Sequence, residues 1–181
     1  GPDAMTPAAQ LEEIRRVYTQ LFTEGHKCRK ELFDELRGHG ILILDYVELS
    51  EAQQETARRY FQEVIYPVLT PLAFDPGRPF PHISNLSLNL AVLVRHPNGE
   101  ERFARIKVPD TIAQIVPLHK PPQRRSGRPL TFTWIEQVIQ ANLDALFPGM
   151  EILEAHPFHV TRDADIAIQE LEAEDLLESV E

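Results

Sequence analysis

The sequence contains a single cysteine, Cys28, so no internal disulfide bond can form. Chains without disulfides are typical of reducing compartments, and we therefore expect a cytoplasmic protein. No apolar run approaches the roughly 18 residues that a membrane-spanning helix needs. The amino-terminal residues also lack the charged start, apolar core and cleavage site of an export signal. These absences favour a globular chain without a membrane span.

Phosphate-binding loops and a surplus of positive charge are missing as well. The eight glycines are scattered, and none precedes a Lys-Ser or Lys-Thr pair, which excludes a phosphate-binding loop of the Walker type. The Gly-x-Gly-x-x-Gly fingerprint of dinucleotide sites is also absent. With 18 basic against 28 acidic residues, the formal net charge is −10. Such a charge disfavours general attraction to nucleic acid, so we expect no nucleic-acid partner.

The charged residues are unevenly distributed along the chain. Residues 95–128 contain eight basic and three acidic side chains, whereas residues 163–181 contain eight acidic side chains and no basic one. A polyanionic ligand is therefore expected to bind the middle stretch rather than the acidic tail.

One long amphipathic helix is predicted near the start of the chain. Residues 1–5 resemble an expression-tag scar and are set aside. Thr6 and Pro7 form a good helix start, and apolar residues then recur at three- and four-residue steps to about Gly38. A break at Gly25 is an alternative. A helix of this length exceeds what a small core needs, so we expect it to contact a neighbouring domain or another chain.

A short strand and a second helix follow. Residues 41–44 form an apolar strand, and Ser50 with Gln53 forms a capping box that opens the helix. Pro67 is expected to stop it. Five prolines between residues 67 and 81 exclude a helix there, so we interpret residues 67–85 as an extended, turning connector.

A β-hairpin is predicted on either side of Asn98 and Gly99. In residues 86–94 and 102–108 the aliphatic side chains occupy mainly the even-numbered positions, with Ala91 and Leu93 as exceptions on the other face. Both aliphatic faces lie on one side of the sheet only if even-numbered residues pair with even-numbered ones. A two-residue loop would pair even with odd, so we predict a three-residue loop or a bulge.

The remaining elements complete an α+β fold. Thr133 and Glu136 form a second capping box, which predicts a helix that ends at residues 147–149, and residues 151–161 predict a strand. A basic loop and an acidic helix are predicted on either side of these elements, at residues 119–129 and 170–180. The fold expected is a long amino-terminal helix and a second helix, followed by a mainly antiparallel sheet with a packed helix. The corresponding division is 6–66 for the helical part, 67–85 for the connector and 86–181 for the sheet part.

The sequence contains no convincing catalytic or metal-binding group. Cys28 lies in the apolar stripe of the first helix, where a cysteine is more often part of the core than a reactive thiolate. His156 and His159 are three apart on a predicted strand, so they face opposite sides and cannot share a metal ion. Asp163 and Asp165 could pair, but a surface ion pair is the simpler interpretation. We therefore expect no catalytic residue, no metal and no bound cofactor.

The best candidate for ligand binding is a pair of cations on one strand. Arg105 and Lys107 are two residues apart and share a face with Phe103, and Arg95 joins them if the hairpin register allows it. Cations spaced in this way suit a chain of phosphates. The alternative is an ordinary solvated sheet face, which also carries Lys and Arg.

Five stretches in order resemble the middle, or head, domain of the polyphosphate kinases that work through a phosphohistidine. They are residues 66–73 (YPVLTPLA), 75–90 (DPGRPFPHISNLSLNL), 103–109 (FARIKVP), 142–150 (NLDALFPGM) and 160–165 (VTRDAD). The resemblance covers essentially everything after the amino-terminal scar. His159 stands where the family more often has a basic residue.

The resemblance implies a parent enzyme that reversibly transfers the terminal phosphate of ATP to inorganic polyphosphate, with Mg²⁺ and a phosphorylated histidine. It places that histidine and most phosphate-binding residues in carboxyl-terminal domains, so the piece is expected to be inactive alone. It implies that the head domain frames a tunnel and contributes to dimer contacts, with the remaining kinase domains as partners. Membrane association of the parent is left open.

Three hypotheses follow. The first is a scaffold and subunit-contact domain. The second is a module that binds polyphosphate along the tunnel wall. Its candidate contacts are Arg105, Lys107, Arg95, Arg102 and Arg162. The third, an independent enzyme, is disfavoured because no nucleophile and base can be paired.

Overall fold

The computed structural model describes residues 5–69, the backbone of 71–73, and residues 83–119 and 129–161. The predicted basic loop, the acidic tail helix and most of the proline-rich connector lie outside the described residues. The chain divides into two compact units, residues 1–44 with 117–132 and residues 45–116 with 133–181.

Helix α1, Pro7–Gly38, dominates the first unit. The Thr6 hydroxyl accepts a hydrogen bond from the Ala9 amide at 3.3 Å, and Pro7 occupies the first turn, as the capping pattern predicts. The helix runs through Gly25 without a break, so the predicted bounds are confirmed. At 1.5 Å per residue it is about 48 Å long. Gly40, with φ +75°, turns the chain into strand β1, Ile41–Leu44.

A three-stranded sheet has the order β1-β6-β5, where β5 is Ile115–Pro117 and β6 is Leu130–Trp134. Neither β5 nor β6 was predicted. The predicted capping role of Thr133 is wrong. Thr133 is a fully buried residue of β6, and helix α3, Ile135–Gln140, begins after Trp134 without a side-chain cap. Alternating Thr131 and Thr133 suit a strand because β-branched residues pack well on a pleated surface.

Helix α2, Glu51–Tyr60, opens the second unit with the predicted capping box. The Ser50 amide donates to Gln53 Oε1 at 2.9 Å. After Tyr60 the chain continues as a π-helical turn, Phe61–Ile65, and a 3₁₀ turn, Tyr66–Val68. Pro67 therefore does not end the helical path. It is tolerated in the first turn of the 3₁₀ segment, where its missing N–H is not needed.

An antiparallel sheet forms the centre of the second unit, with the strand order β2-β4-β3-β7. Its strands are β2, Pro71–Ala73; β3, Leu88–Arg95; β4, Glu101–Lys107; and β7, Glu151–His159. A register shift interrupts the β3–β7 pairing between Leu93 and Val94. Apart from the half-buried Leu88, the even-numbered aliphatic residues of β3 and β4 are buried, as predicted. They are Leu90, Val92, Val94, Ala104 and Ile106.

The β3–β4 hairpin has the predicted three-residue loop. Beyond the pair Arg95 and Glu101, the His96 amide donates to the Glu100 carbonyl at 2.8 Å, which leaves residues 97–99 as the loop. Gly99 closes it with φ +87°, a conformation that glycine adopts readily. Even-numbered residues consequently pair with even-numbered ones along the hairpin.

The prediction that Leu86 belongs to the buried strand face is wrong. Leu86 lies in a turn with φ +56° and is 65% exposed. Its amide donates to the Val160 carbonyl at 2.8 Å, and regular pairing begins only at Leu88. Alternation in the sequence thus extends two residues beyond the strand itself.

The third predicted helix is interrupted, and its two parts contact different elements of the second unit: the first the π-helical turn and the second strand β7. Helix α3 ends at Gln140, and helix α4, Leu143–Leu146, follows after Asn142, whose Nδ2 donates to the Val138 carbonyl at 2.8 Å. Gly149, with φ +77°, completes the predicted stop. The buried side chains are Ile135, Val138, Ile139, Leu143 and Phe147. The predicted α+β fold is confirmed.

Candidate functional site

The odd-numbered side of the β3–β4 hairpin is called the polar face here, and it comprises residues 89, 91, 93, 103, 105 and 107. Strand β4 places Arg105 and Lys107 together on this face, as the two-residue spacing predicts. The register sets Arg105 opposite Ala91 and Lys107 opposite Asn89. The two cations predicted to act together are therefore neighbours in the fold.

Arg105 is not on a solvated surface. Its side chain is 8% exposed, so the alternative of an ordinary water-covered face is wrong for this residue. Burial lowers the pKa of Arg105 from its usual value because desolvation disfavours the charged form. Arginine nevertheless stays protonated in proteins, so the polar face contains a fixed, enclosed positive charge.

Lys107 and Asn89 lie at the end of the polar face that is farthest from the hairpin loop. Lys107 is half-buried, and it makes no ion pair with any residue that the structure describes. Asn89 is fully buried, and its Nδ2 donates to the Ser87 carbonyl at 3.0 Å and to Ser87 Oγ at 2.9 Å. Asn89 was missed as a site residue. Its polar side chain amid leucines on a buried strand was the available signal.

Arg95 and Arg102 are already occupied by carboxylates. Arg95 donates to Glu101 at 2.9 Å and to Glu151 at 2.8 Å, and these hydrogen bonds raise the pKa of Arg95. Arg102 donates to Glu100 at 2.9 Å, and this bond holds the pKa of Glu100 below its usual value. A polyanion would have to displace these partners. Lys107 and Arg105 are therefore the stronger candidates.

Of the remaining predicted contacts, Arg162 lies outside the described residues, as do Asp163 and Asp165. His156 pairs across the sheet with Ala91 and His159 with Leu88, so the two histidines face opposite sides. In the described part of the chain, no group of three or more His, Cys, Asp or Glu residues could hold a metal ion.

A polar clamp that the sequence did not predict lies at the start of α3. Gln137 Oε1 accepts from the Tyr46 amide at 2.6 Å, and its Nε2 donates to Asp45 at 3.0 Å. The neighbouring Glu136 is half-buried, and burial followed by the negative charge of Asp45 raises its pKa, although His159 opposes this. These two hydrogen bonds connect the turn before α2 to helix α3. Both polar atoms of the Gln137 side chain already have a protein partner.

The first unit presents a different surface, the apolar stripe of α1. No residue of this helix is buried, and most of its large apolar side chains are exposed, whereas Phe33 and Leu36 are half-buried. Tyr18 and Phe22 stack with ring centroids 5.8 Å apart, and Cys28 is an exposed free thiol. The stripe comprises Leu11, Ile14, Tyr18, Leu21, Phe22, Cys28 and Leu32. Contiguous exposed apolar surface of this kind marks an interaction site.

None of the helices in the described ranges is long and apolar enough to span a bilayer. α1 is long, but charged residues interrupt its apolar positions throughout.

Comparison with known proteins identifies the family. Residues 52–181 match the family model described as the polyphosphate kinase middle domain. This chain belongs to the polyphosphate kinase family. The polyphosphate kinase of Aphanizomenon baltica is 50% identical over 186 residues, covering 99% of this chain and 48% of that protein. That of a Synechocystis strain is 47% identical over 188 residues, covering 99% of this chain and 25% of that protein.

A solved structure from the polyphosphate kinase family has the same fold. The crystal structure of polyphosphate kinase from Porphyromonas gingivalis superposes with a TM-score of 0.70 over 87% of this chain and 26% of that chain, at 24% identity. The chain thus spans between a quarter and a half of the length of these relatives. The resemblance to the family and to its middle domain is confirmed.

Proposed function

We propose that this chain is a non-catalytic middle domain of an enzyme that transfers the terminal phosphate of ATP reversibly to inorganic polyphosphate. The match to the middle domain of the family is the observation that supports this proposal. The relatives that share its sequence are named polyphosphate kinases and are two to four times as long. The phosphohistidine and the Mg²⁺ of the reaction belong, on this proposal, to the rest of the enzyme.

Physical requirements of the reaction support the same assignment. Phosphoryl transfer needs a metal ion, positioned cations and an activated nucleophile in one place. The polar face offers Arg105 and Lys107, which are cations without a neighbouring nucleophile and base among the described residues. The domain would therefore assist the reaction by framing the tunnel that holds the polyphosphate chain.

The test is a turnover and labelling assay on the 181-residue chain. With Mg²⁺, polyphosphate and γ-phosphate-labelled ATP, we expect neither ATP consumption nor a labelled histidine. The matched control is a complete relative, such as the Synechocystis enzyme, under the same conditions. Turnover or acid-labile label on this chain would refute the proposal.

We further propose that α1 is the contact element of the domain, covered by other kinase domains and by a second copy of the chain. The apolar stripe supports this, because side chains such as Leu11 and Leu21 are each more than 60% exposed along a helix with no buried residue. The unpaired Cys28 fits a reducing, cytoplasmic location.

Light scattering coupled to size exclusion tests the contact role. We expect the 181-residue chain to form a concentration-dependent dimer, and the double change Leu21→Lys and Phe22→Lys to shift it to monomer. Glu24→Lys and Thr23→Lys alter the polar side of the same turn and serve as the matched control. A strict monomer at all concentrations, or equal effects of both pairs, would contradict a role for the stripe in self-association.

A second candidate function is binding of polyphosphate to the polar face. It is favoured by the enclosed charge of Arg105 beside the half-buried Lys107, a pairing that an ordinary solvated face would not bury. Charge attraction of this type weakens as salt screens it.

Titration of medium-length polyphosphate at low and moderate salt tests this function. We expect Lys107→Glu to weaken binding by about ten-fold, corresponding to about 1.4 kcal/mol. Lys27→Glu, on the exposed surface of α1, is the control with the same change of charge. Equal polyphosphate affinity for both variants, or an affinity that does not change with salt concentration, would eliminate the polar face as the binding site.

A further inference from the structure

The side chain of Asn89 has one fixed orientation. Its Nδ2 donates to both the carbonyl and the hydroxyl oxygen of Ser87, and the Ser87 hydroxyl donates its own proton to the Ser84 carbonyl at 2.7 Å. The carbonyl oxygen and the hydroxyl oxygen of Ser87 can therefore only accept hydrogen bonds from Asn89. A reversed amide would place its oxygen against two acceptors, so the hydrogen-bond network determines which atom is Oδ1.

Oδ1 of Asn89 consequently faces away from Ser87 and lacks a partner. The side chain is fully buried, and within the described residues nothing donates to this oxygen. A buried acceptor without a donor is costly, and native structures rarely leave one unpaired. The surroundings of Asn89 should therefore supply an N–H or O–H group.

The register offers one candidate donor. Asn89 is directly opposite Lys107 in the β3–β4 pairing, so both side chains project from the same face. Side chains opposed in this way have Cβ atoms about 4.5–5.5 Å apart, which is within the reach of a lysine. Lys107 is half-buried and makes no ion pair with a described residue, so the N–H groups of its ammonium are available as hydrogen-bond donors.

We propose that Asn89 is a positioning residue that holds the Lys107 ammonium over the polar face through a hydrogen bond to Oδ1. The carbonyl oxygen repels phosphate oxygens, so Asn89 itself is not a ligand for an anion. An ammonium group has three donors, and one bond to Asn89 leaves two for phosphate oxygens. The hydrogen bond is inferred from the register and from the unpaired Oδ1, and it requires the Lys107 side chain to turn toward Asn89. Its use for polyphosphate rests on the second function proposed above.

Lysine-selective ¹⁵N labelling tests the hydrogen bond directly. The chain contains four lysines, Lys27, Lys30, Lys107 and Lys120, and Lys107→Arg assigns the signal in question. Hydrogen-bonded ammonium protons exchange with water more slowly, so we expect the Lys107 signal to outlast those of Lys27 and Lys30 as pH rises. A Lys107 signal that vanishes together with those of Lys27 and Lys30 would overturn the proposal.

Two variants of Asn89 distinguish positioning from general support of the fold. Asn89→Ala removes the acceptor, and we expect the slow Lys107 signal to be lost. Asn89→Asp keeps the acceptor at Oδ1 but sets its second oxygen against the two Ser87 acceptors, so its folding is checked first by circular dichroism; in the folded variant the slow signal should remain. If neither variant folds, the exchange of the Lys107 signal in the unaltered chain decides the test. Loss of the signal in a folded Asn89→Asp variant, or its survival in Asn89→Ala, would refute the inference.

Polyphosphate titration then separates the two proposals. If Asn89 acts through Lys107, then Asn89→Ala and Lys107→Met each weaken binding by about five-fold, and the double variant binds no worse than either alone. Additive losses would show that Asn89 acts independently of Lys107 and would refute its positioning role. A slow Lys107 signal without any polyphosphate binding would support the hydrogen bond and refute the second proposed function.

Discussion

Two identical substitutions in this chain should change stability in opposite directions. Gly25→Ala and Gly99→Ala each add one methyl group, and in both places the new Cβ would meet no atom within 4 Å. Contacts therefore contribute nothing, and only the backbone conformation differs. Gly25 lies within α1, whereas Gly99 has φ +87° at the end of the hairpin loop.

The expected magnitudes follow from the backbone. Alanine in a helix interior is favoured over glycine by about 0.8–1 kcal/mol, so Gly25→Ala should stabilise α1 by about that amount. A left-handed conformation costs an L-residue about 1–2 kcal/mol, so Gly99→Ala should destabilise the hairpin. Both variants restrict the unfolded chain equally, which cancels in the comparison. The two free energies of unfolding should differ by about 2–3 kcal/mol.

Urea unfolding followed by two spectroscopic probes measures the effect of each substitution in its own unit. Far-ultraviolet circular dichroism follows α1, and fluorescence of Trp134, the single tryptophan, follows the unit that contains the hairpin. Gly99→Ala should keep the β3–β4 register, because the strand pairs on either side are unchanged. Equal effects of both substitutions, or a stabilising Gly99→Ala, would refute the assignment of strain to the loop.

Three further predictions concern the second unit. Gln137→Leu should lower the free energy of unfolding by about 1–3 kcal/mol because it leaves a part-buried amide unpaired, and Gln62→Leu on the exposed π-helical turn should have little effect in the same urea titration. Phe61→Ala should cost about 3–5 kcal/mol, since this ring is buried in the core; a loss under 1 kcal/mol would contradict its packing there. The raised pKa of Glu136 means that the folded state binds its proton more tightly, so stability is lost as pH rises from the unfolded pKa through the folded pKa. Glu136→Gln should therefore stabilise the chain more at pH 7 than at pH 4, and equal effects at the two pH values would argue against the raised pKa.

Local signals in the sequence predicted much of this fold. The bounds of α1 followed from Thr6, Pro7 and the apolar steps. The parity of the aliphatic positions excluded a two-residue hairpin loop and left a three-residue loop or a bulge, of which the structure has the loop. Both depend on interactions within a few residues. Strands β5 and β6 are three and five residues long, and they form because of partners distant in the sequence. The Thr133–Glu136 pattern satisfied a capping rule, but burial of Thr133 in β6 prevailed.

The candidate site was likewise predicted only in part. The spacing of Arg105 and Lys107 placed them on one face, because side chains alternate along any strand. Their burial could not be read from the spacing, since it depends on what the rest of the chain places over the sheet. Arg95 and Arg102 likewise appeared as available cations until the fold brought Glu151, Glu101 and Glu100 beside them.

The exposure of α1 has a consequence for how this domain acquires its shape. Isolated helices gain little from propensity alone, and most helical stability in proteins comes from packing of an apolar face. A 32-residue helix without a buried side chain should therefore be in a folding equilibrium. On the proposed role of α1 in self-association, we expect the helical content of this chain to rise with protein concentration and to fall on dilution.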